Sequence, residues 1–209
     1  MRIDAEALDR HRRAVAGSVA IVGRVTPADL ARPTPCEGWT LADLLAHMTV
    51  QHDGFAAAAR GDVTELADWV PRPVGDDVVA VYRAAAAGVV DAFAGCDADT
   101  DLWLPEIRGG ARIPATTALG FHLVDYVVHA WDVAASLGIP DALAPDDDVL
   151  ADALAVARLV PDGESRTVPG AAFAPALAGG EDAGAPDGDA LGRILRLLGR
   201  DPAWTPARG

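Results

Sequence analysis

Apolar residues recur along the chain with the spacing of helices. Between residues 4 and 23, Leu8, Val15, Val19 and Val22 follow one another at intervals of seven, four and three, so they share one helical face. Similar patterns, bounded by capping residues, Gly or Pro, predict four more helices and a short last one. These predicted helices cover 40–61, 76–93, 114–138, 146–160 and 190–200.

Individual residues mark the ends of the predicted helices. Thr40 followed by Asp43 forms the pattern of a capping box at the start of the second helix. Pro114 suits the first turn of the fourth helix, and Gly138 suits the position just after its end. Between the third and fourth helices, a Gly-Gly pair separates two short extended runs in TDLWLPEIRGGARIP and predicts a small hairpin.

The predicted fold class is all-α. Long helices joined by connections of ordinary length bury their apolar faces most simply as a four-helix bundle. A chain of 209 residues suits a single domain, with a bundle core at about 1–161 and a C-terminal arm at about 162–209. Within the arm, the acidic stretch 180–189 suits a solvated loop, and Trp204 is expected to pack the tail against the body.

Composition limits the partners. With 31 acidic and 17 basic residues, the net charge of −14 disfavours nucleic acid and anionic membranes. No uninterrupted apolar run approaches the roughly 18 residues that span a bilayer, and the N-terminus lacks a signal-peptide pattern. Two cysteines do not make a disulfide framework, so we expect a cytoplasmic protein. Every basic residue is Arg, a bias typical of GC-rich genomes such as actinobacterial ones.

The fourth predicted helix carries a stripe of polar residues. Apart from these polar residues and Gly120, the residues from 119 to 137 are apolar, which predicts a helix buried on most sides. His122, Asp125, His129 and Asp132 are three or four residues apart and therefore line one face. A solvated stripe is the simpler interpretation, but such stripes usually carry long charged side chains. Imidazole and carboxylate groups also suit a divalent metal ion, with a third ligand from another helix.

The remaining histidines differ in their predicted surroundings. His47, on the second helix, is a candidate third ligand, although a histidine among apolar residues is more often hydrogen-bonded within the core. His52 lies about 140° around the helix from His47 and is predicted to be exposed, as is His11 beside two arginines. Cys36 is expected to be packed, and Gln51, one turn after His47, is a candidate for the same cavity.

Three segments carry a family resemblance. Residues 34–48 (TPCEGWTLADLLAHM), 124–138 (VDYVVHAWDVAASLG) and 197–204 (LLGRDPAW) resemble the actinobacterial metal-binding proteins of the DinB-like superfamily. Relatives of those proteins include the N-terminal domain of mycothiol-dependent maleylpyruvate isomerase. The resemblance implies a four-helix bundle that holds a divalent metal, with zinc as the first choice and nickel as the second.

Transferred by position, the resemblance implies that His47, Asp125 and His129 bind the metal. Similar zinc isomerases have Glu where this chain has Asp125, and the shorter Asp changes the reach of that ligand. His122, one turn earlier, is a candidate fourth ligand or substrate contact. Asp132 is expected to hydrogen-bond to a ligand from outside the coordination sphere.

The resemblance also implies a reaction class. Three protein ligands and one open position are typical of catalytic sites, and the open position would bind the thiolate of mycothiol. The expected function is a metal- and thiol-dependent transferase or isomerase acting on a small thiol and an electrophilic substrate, with a homodimer left open. The residues after the bundle are too few for the isomerase's second domain, so maleylpyruvate isomerisation itself is not expected. The alternative is a non-enzymatic bundle in which the ion is structural or the site is vestigial.

Overall fold

The computed structural model describes residues 1–107, 109–168, 171–180 and 189–206. In chain order, its helices and strands are α1 (Ala5–Val22), α2 (Leu41–Arg60), α3 (Val78–Gly95), β1 (Asp101–Leu104), β2 (Ala111–Pro114), α4 (Ala115–Ser136), α5 (Asp147–Ala157) and α6 (Ala190–Leu197). The all-α prediction is confirmed, and so is the small hairpin, because β1 and β2 pair in antiparallel register. Most of the predicted acidic loop at 180–189 lies outside the described residues.

Capping residues mark the ends of the two helices that carry His47 and the polar stripe. The Thr40 hydroxyl accepts from the backbone N–H of Asp43, and the Asp43 carboxylate accepts from the backbone N–H of Thr40 at 2.9 Å. Gly61 ends α2 in the left-handed region, with a φ of +87°, which a glycine adopts without strain. Pro114 is the N-cap of α4, and α4 ends two residues before Gly138. These ends lie within about two residues of the predicted ones.

Helices α1 to α4 form the bundle. Helix α2 packs on α3 and α1 packs on α4, while contacts between α1 and α3 and between α2 and α4 complete the core. Helix α5 lies against α4, and α6 lies against α5. Helix α4 is central, since 17 of its 22 residues are buried. Its nearly uniform apolar sequence therefore has packing partners on almost every side.

Apolar side chains fix the hairpin to the bundle. Leu102 and Leu104 on β1 are each 1% exposed and belong to a cluster that includes Phe55 of α2 and Phe93 of α3. Burying side chains of this size stabilises the fold by roughly 1.5–3 kcal/mol each. The hairpin is therefore anchored against α2 and α3. Farther along the chain, Trp204 packs partly buried against the larger core cluster, as expected.

Helix α3 has the length and composition of a membrane-spanning helix and is the one such helix in the described part of the chain. A search for uninterrupted apolar runs misses it, because Arg83 and Asp91 interrupt the sequence. In the bundle, α3 packs against α1 and α2, and 39% of its residues are buried. Core helices of bundles share these properties, so the feature alone assigns no location.

Candidate metal centre

The structure brings His47, Asp125 and His129 together. His47 lies on α2, and Asp125 and His129 lie one turn apart on α4. One ligand atom from each residue lies within 4.8 Å of the other two. His129 Nε2 is 3.4 Å from Asp125 Oδ1, and the rings of His47 and His129 meet edge to face with their centroids 5.2 Å apart. The three residues implied by the resemblance thus share one location.

A divalent ion fits this set of donors. Two donor atoms that each lie about 2.1 Å from a tetrahedral zinc ion are roughly 3.4 Å apart. The atoms of His129 and Asp125 already have that separation, at 3.4 Å. His129 is buried, whereas His47 and Asp125 are partly exposed, so the ion would lie at the edge of the bundle. Three protein donors would leave the ion an open position for a small molecule.

Buried charged groups hold the Nδ1 side of the His129 ring. Asp132 Oδ2 lies 2.9 Å from His129 Nδ1, which is the hydrogen bond expected of Asp132. With Nδ1 engaged, Nε2 is left to face Asp125 and His47. Arg200, from the segment after α6, donates through Nη2 to the same Asp132 oxygen at 3.4 Å. The C-terminal segment thereby contributes to the position of a candidate ligand on α4.

A second group of donor atoms shares His129. The ligand atoms of Cys36, His129 and Asp132 also lie within 4.8 Å of one another. Arg200 Nη2, however, lies 3.4 Å from both Cys36 Sγ and Asp132 Oδ2, so a positive charge already occupies this side. A metal ion placed there would be repelled by the guanidinium. The charge distribution favours the group formed by His47, Asp125 and His129.

The charges around the site separate the protonation states of its two histidines. Burial opposes a charge on His129, but Asp125 and the hydrogen bonds to Asp132 and Cys36 outweigh it and raise the pKa of His129 to about 10. Burial and the neighbouring His129 lower the pKa of His47 to about 4. Burial opposes ionisation of Asp132, but Arg200 and His129 hold its pKa below the usual value. Without metal, His129 therefore carries a proton and His47 does not.

His122 belongs to a different cluster. Its Nδ1 lies 2.9 Å from His11 Nε2, and its Nε2 lies 3.1 Å from His52 Nδ1. Both ring nitrogens are engaged by other histidines, so the prediction of His122 as a fourth ligand or substrate contact does not agree with the structure. The exposed positions predicted for His11 and His52 are wrong, because these residues are only 1% and 0% exposed.

We call His11, His122 and His52 the histidine chain. It links α1, α4 and α2 through the interior of the bundle. Tyr126 stacks on the rings of His52 and His122, with centroid distances of 3.9 and 4.2 Å. Burial lowers the pKa of all three histidines, that of His11 to about 3, so the chain is neutral. His52 Nε2 has no hydrogen-bond partner in the described part of the protein.

Gln51 and Glu106 lie beside the α2 side of the site. Gln51 is one turn after His47 on α2, is 5% exposed, and donates through Nε2 to Glu106 Oε2 at 2.6 Å. Glu106 is part of the turn between β1 and β2. The sequence pattern places Gln51 near the cavity, but no local pattern singles out Glu106, because the two residues are 55 positions apart.

Comparison with known proteins identifies the family. The family model described as the mycothiol maleylpyruvate isomerase N-terminal domain matches residues 11–134, a stretch that includes all three candidate ligands. Two uncharacterized proteins, from two strains of Mycobacterium tuberculosis, are each 32% identical over 167 residues, which cover 78% of this chain and 84% of each relative.

Solved structures agree in fold. The crystal structure of the mycothiol-dependent maleylpyruvate isomerase and that of a mutant of the same enzyme both match with a TM-score of 0.53. Their sequence identities are 18% and 17%, and each match covers 73% of this chain and 68% of the other. At this identity the structures bear on the fold alone, which is consistent with the DinB-like superfamily. The chain belongs to the mycothiol maleylpyruvate isomerase N-terminal domain family.

Proposed function

We propose that this protein is a mycothiol-dependent transferase or isomerase whose His47, Asp125 and His129 hold a divalent metal ion, zinc before nickel. The observation that carries the proposal is the meeting of three donor atoms from two helices within 4.8 Å, inside the stretch that matches the family. The family description names mycothiol, and the donor chemistry supplies a reason why a thiol would bind here.

The charges of the donors favour an anionic fourth ligand. When bound, the ion would act as a Lewis acid that lowers the pKa of a thiol, so that a nucleophile exists at neutral pH. Two neutral imidazoles and one carboxylate leave a dication with a net charge of about +1. A thiolate neutralises that charge. Asp132 and Arg200 hold the far side of His129 and so keep its Nε2 directed at the site.

A cytoplasmic location completes the proposal. Cys36 and Cys96 are both free, as is usual in a reducing compartment, and a thiol cosubstrate must also remain reduced. The expected partners are therefore a low-molecular-weight thiol and an electrophilic small molecule.

Zinc affinity of ligand variants tests the assignment. Metal-free protein is titrated with zinc in a calorimeter, and His47→Ala and Asp125→Asn are each expected to weaken binding by more than about 100-fold, beyond the effect of residues that only support a ligand. Asp53→Asn makes the same chemical change at an exposed carboxylate of α2 and is the matched control. Wild-type zinc affinity in the His47→Ala protein would show that His47 is not a zinc ligand.

The same geometry supports a second candidate function, a structural ion without catalysis. The donors come from α2 and α4, so an ion would cross-link two helices of the bundle and stabilise it. Thermal unfolding with and without a chelator, together with mycothiol titration, separates the two. A large loss of melting temperature on chelation combined with no binding of mycothiol would favour the structural role.

A further inference from the structure

We propose that Glu106 is the proton-transfer group of this site, accepting the thiol proton and later returning it to the substrate. The inference rests on the proposed function, because it assumes that a thiol binds beside His47, Asp125 and His129. It adds a residue that neither the sequence pattern nor the family description assigns.

The hairpin holds Glu106 in a defined place. Strands β1 and β2 pair up to Leu104 and Ala111, directly on either side of the turn that carries Glu106. Trp103 of β1 donates through Nε1 to the backbone oxygen of Thr64 at 3.1 Å, and Leu104 is buried in the core. Glu106 itself is exposed, so it can exchange protons with water, but the strands that support it are fixed to the bundle.

Gln51 directs the carboxylate of Glu106 toward the site. Gln51 and His47 are four residues apart on α2 and therefore lie on the same face of the helix. The buried Gln51 amide donates to Glu106 Oε2 at 2.6 Å, a contact that places the carboxylate next to the face carrying His47. Burying this amide without a partner would cost about 1–3 kcal/mol, and the hydrogen bond to Glu106 avoids that cost.

Electrostatic effects agree with this placement. Although the Glu106 side chain reaches solvent, its partial desolvation raises the pKa of Glu106; the hydrogen bond from Gln51 opposes the rise, and the negative charge of Asp125 adds to it. Asp125 is a candidate ligand on α4, and its charge acts on Glu106.

The chemistry balances for addition of a thiol to an α,β-unsaturated carbonyl compound. The Glu106 carboxylate takes the S–H proton as the thiol binds. The sulfur electron pair then forms a C–S bond at the β-carbon, and the alkene π electrons move toward the carbonyl oxygen. When those electrons return, the α-carbon takes the proton from the Glu106 carboxyl group, which becomes a carboxylate again. The product is a thioether, and the reverse sequence releases the thiol and the alkene.

The number of protons released on thiol binding tests the role of Glu106 without measuring turnover. Zinc-loaded protein is titrated with mycothiol at about pH 7 in two buffers of different ionisation enthalpy, which yields the proton count. The thiol is mostly protonated at this pH and binds as a thiolate. Glu106→Gln is expected to release about one proton more than the wild type, because the wild type retains the thiol proton on Glu106. Glu164→Gln, the same change at an exposed residue of the C-terminal arm, is expected to match the wild type.

The outcomes separate this inference from the proposed function. If wild-type protein binds zinc but not mycothiol, the proposed function fails, and the inference fails with it. If wild-type protein binds mycothiol and Glu106→Gln releases the same number of protons, Glu106 is not the acceptor and only the inference is overturned. Equal zinc content and equal melting temperatures of the two proteins show that Glu106→Gln has not acted through the fold.

Discussion

Acidification should destabilise the bundle through the histidine chain. Burial lowers the folded-state pKa of His11 to about 3 and also lowers those of His52 and His122, whereas imidazoles of the unfolded chain keep values near 6.5. Below about pH 6.5 the unfolded state therefore binds more protons than the folded state. Stability is present above that pH and is lost as the pH falls toward the folded pKa values.

The size of this effect follows from the number of neutral imidazoles. Each neutral imidazole lowers the free energy of unfolding by about 1.4 kcal/mol for every pH unit of acidification, once the unfolded residue is fully protonated. Three such imidazoles therefore lower it by roughly 4 kcal/mol per unit. That is a large part of the roughly 5–15 kcal/mol by which proteins are stable. The stabilisation that comes from neutral His47 is lost in the same pH range, because the pKa of His47 is lowered to about 4. The contribution of His129, whose pKa is raised to about 10, is complete below pH 6.5 and is lost only as the pH rises.

Urea unfolding of metal-free protein between about pH 7 and pH 5 measures this linkage. The comparison is with a protein carrying His11→Leu, His52→Phe and His122→Phe, which replaces the hydrogen-bonded chain by apolar groups. We expect the pH slope of its unfolding free energy to be smaller by roughly 4 kcal/mol per unit at the acid end. Equal slopes in the two proteins would contradict the neutral state assigned to the three histidines. If the variant does not fold, the ring protons of the three native histidines still provide a test, because they should not titrate above about pH 6.

Two further substitutions test the packing around the site and in the core. Arg200→Met removes the guanidinium from the buried Asp132 and leaves that carboxylate paired with His129, so we expect a loss of roughly 1.5–3 kcal/mol in urea unfolding. Zinc affinity by calorimetry should be about 10–100-fold weaker. Unchanged values for both would contradict the support assigned to Arg200. Gly54→Ala would place a Cβ 2.6 Å from the Trp69 ring and should destabilise by about 1–3 kcal/mol, whereas Gly95→Ala, with nothing within 4 Å, is the control that should not.

The helices and two of the candidate ligands could be predicted because their signals are local. The capping box of Thr40 and Asp43 and the four-residue spacing of Asp125 and His129 depend on residues within one helical turn. The relative positions of such residues on a helix follow from their spacing in the chain. His47 needed the resemblance as well, because its partners lie on another helix.

The contacts that support the site could not be predicted in this way. Arg200 and Asp132 are 68 residues apart, and no periodic pattern relates them. His11 is a different case, because Ala14, Val15 and Ser18 lie on the same helical face and are buried with it. The adjacent arginines point elsewhere around the helix, so helical position, rather than neighbours in sequence, indicates the burial of His11.

His52 shows a further limit of helix periodicity. It does not share a face with His47, and a helix with one buried face would therefore expose it. Helix α2 instead packs against α3, α4 and β1, so its buried residues lie on several sides. Only the arrangement of neighbouring helices in the bundle could show that both histidines are covered.

The absorption spectrum of cobalt-substituted protein shows directly whether mycothiol binds a metal ion held by His47, Asp125 and His129. Cobalt(II) replaces zinc in the same donor set and reports its ligands through its visible and near-ultraviolet bands. We predict a thiolate-to-cobalt band when mycothiol is added to wild-type protein, no such band with S-methylated mycothiol, and loss of the band in His47→Ala. A fully cobalt-loaded wild-type protein whose spectrum does not change with mycothiol would contradict it.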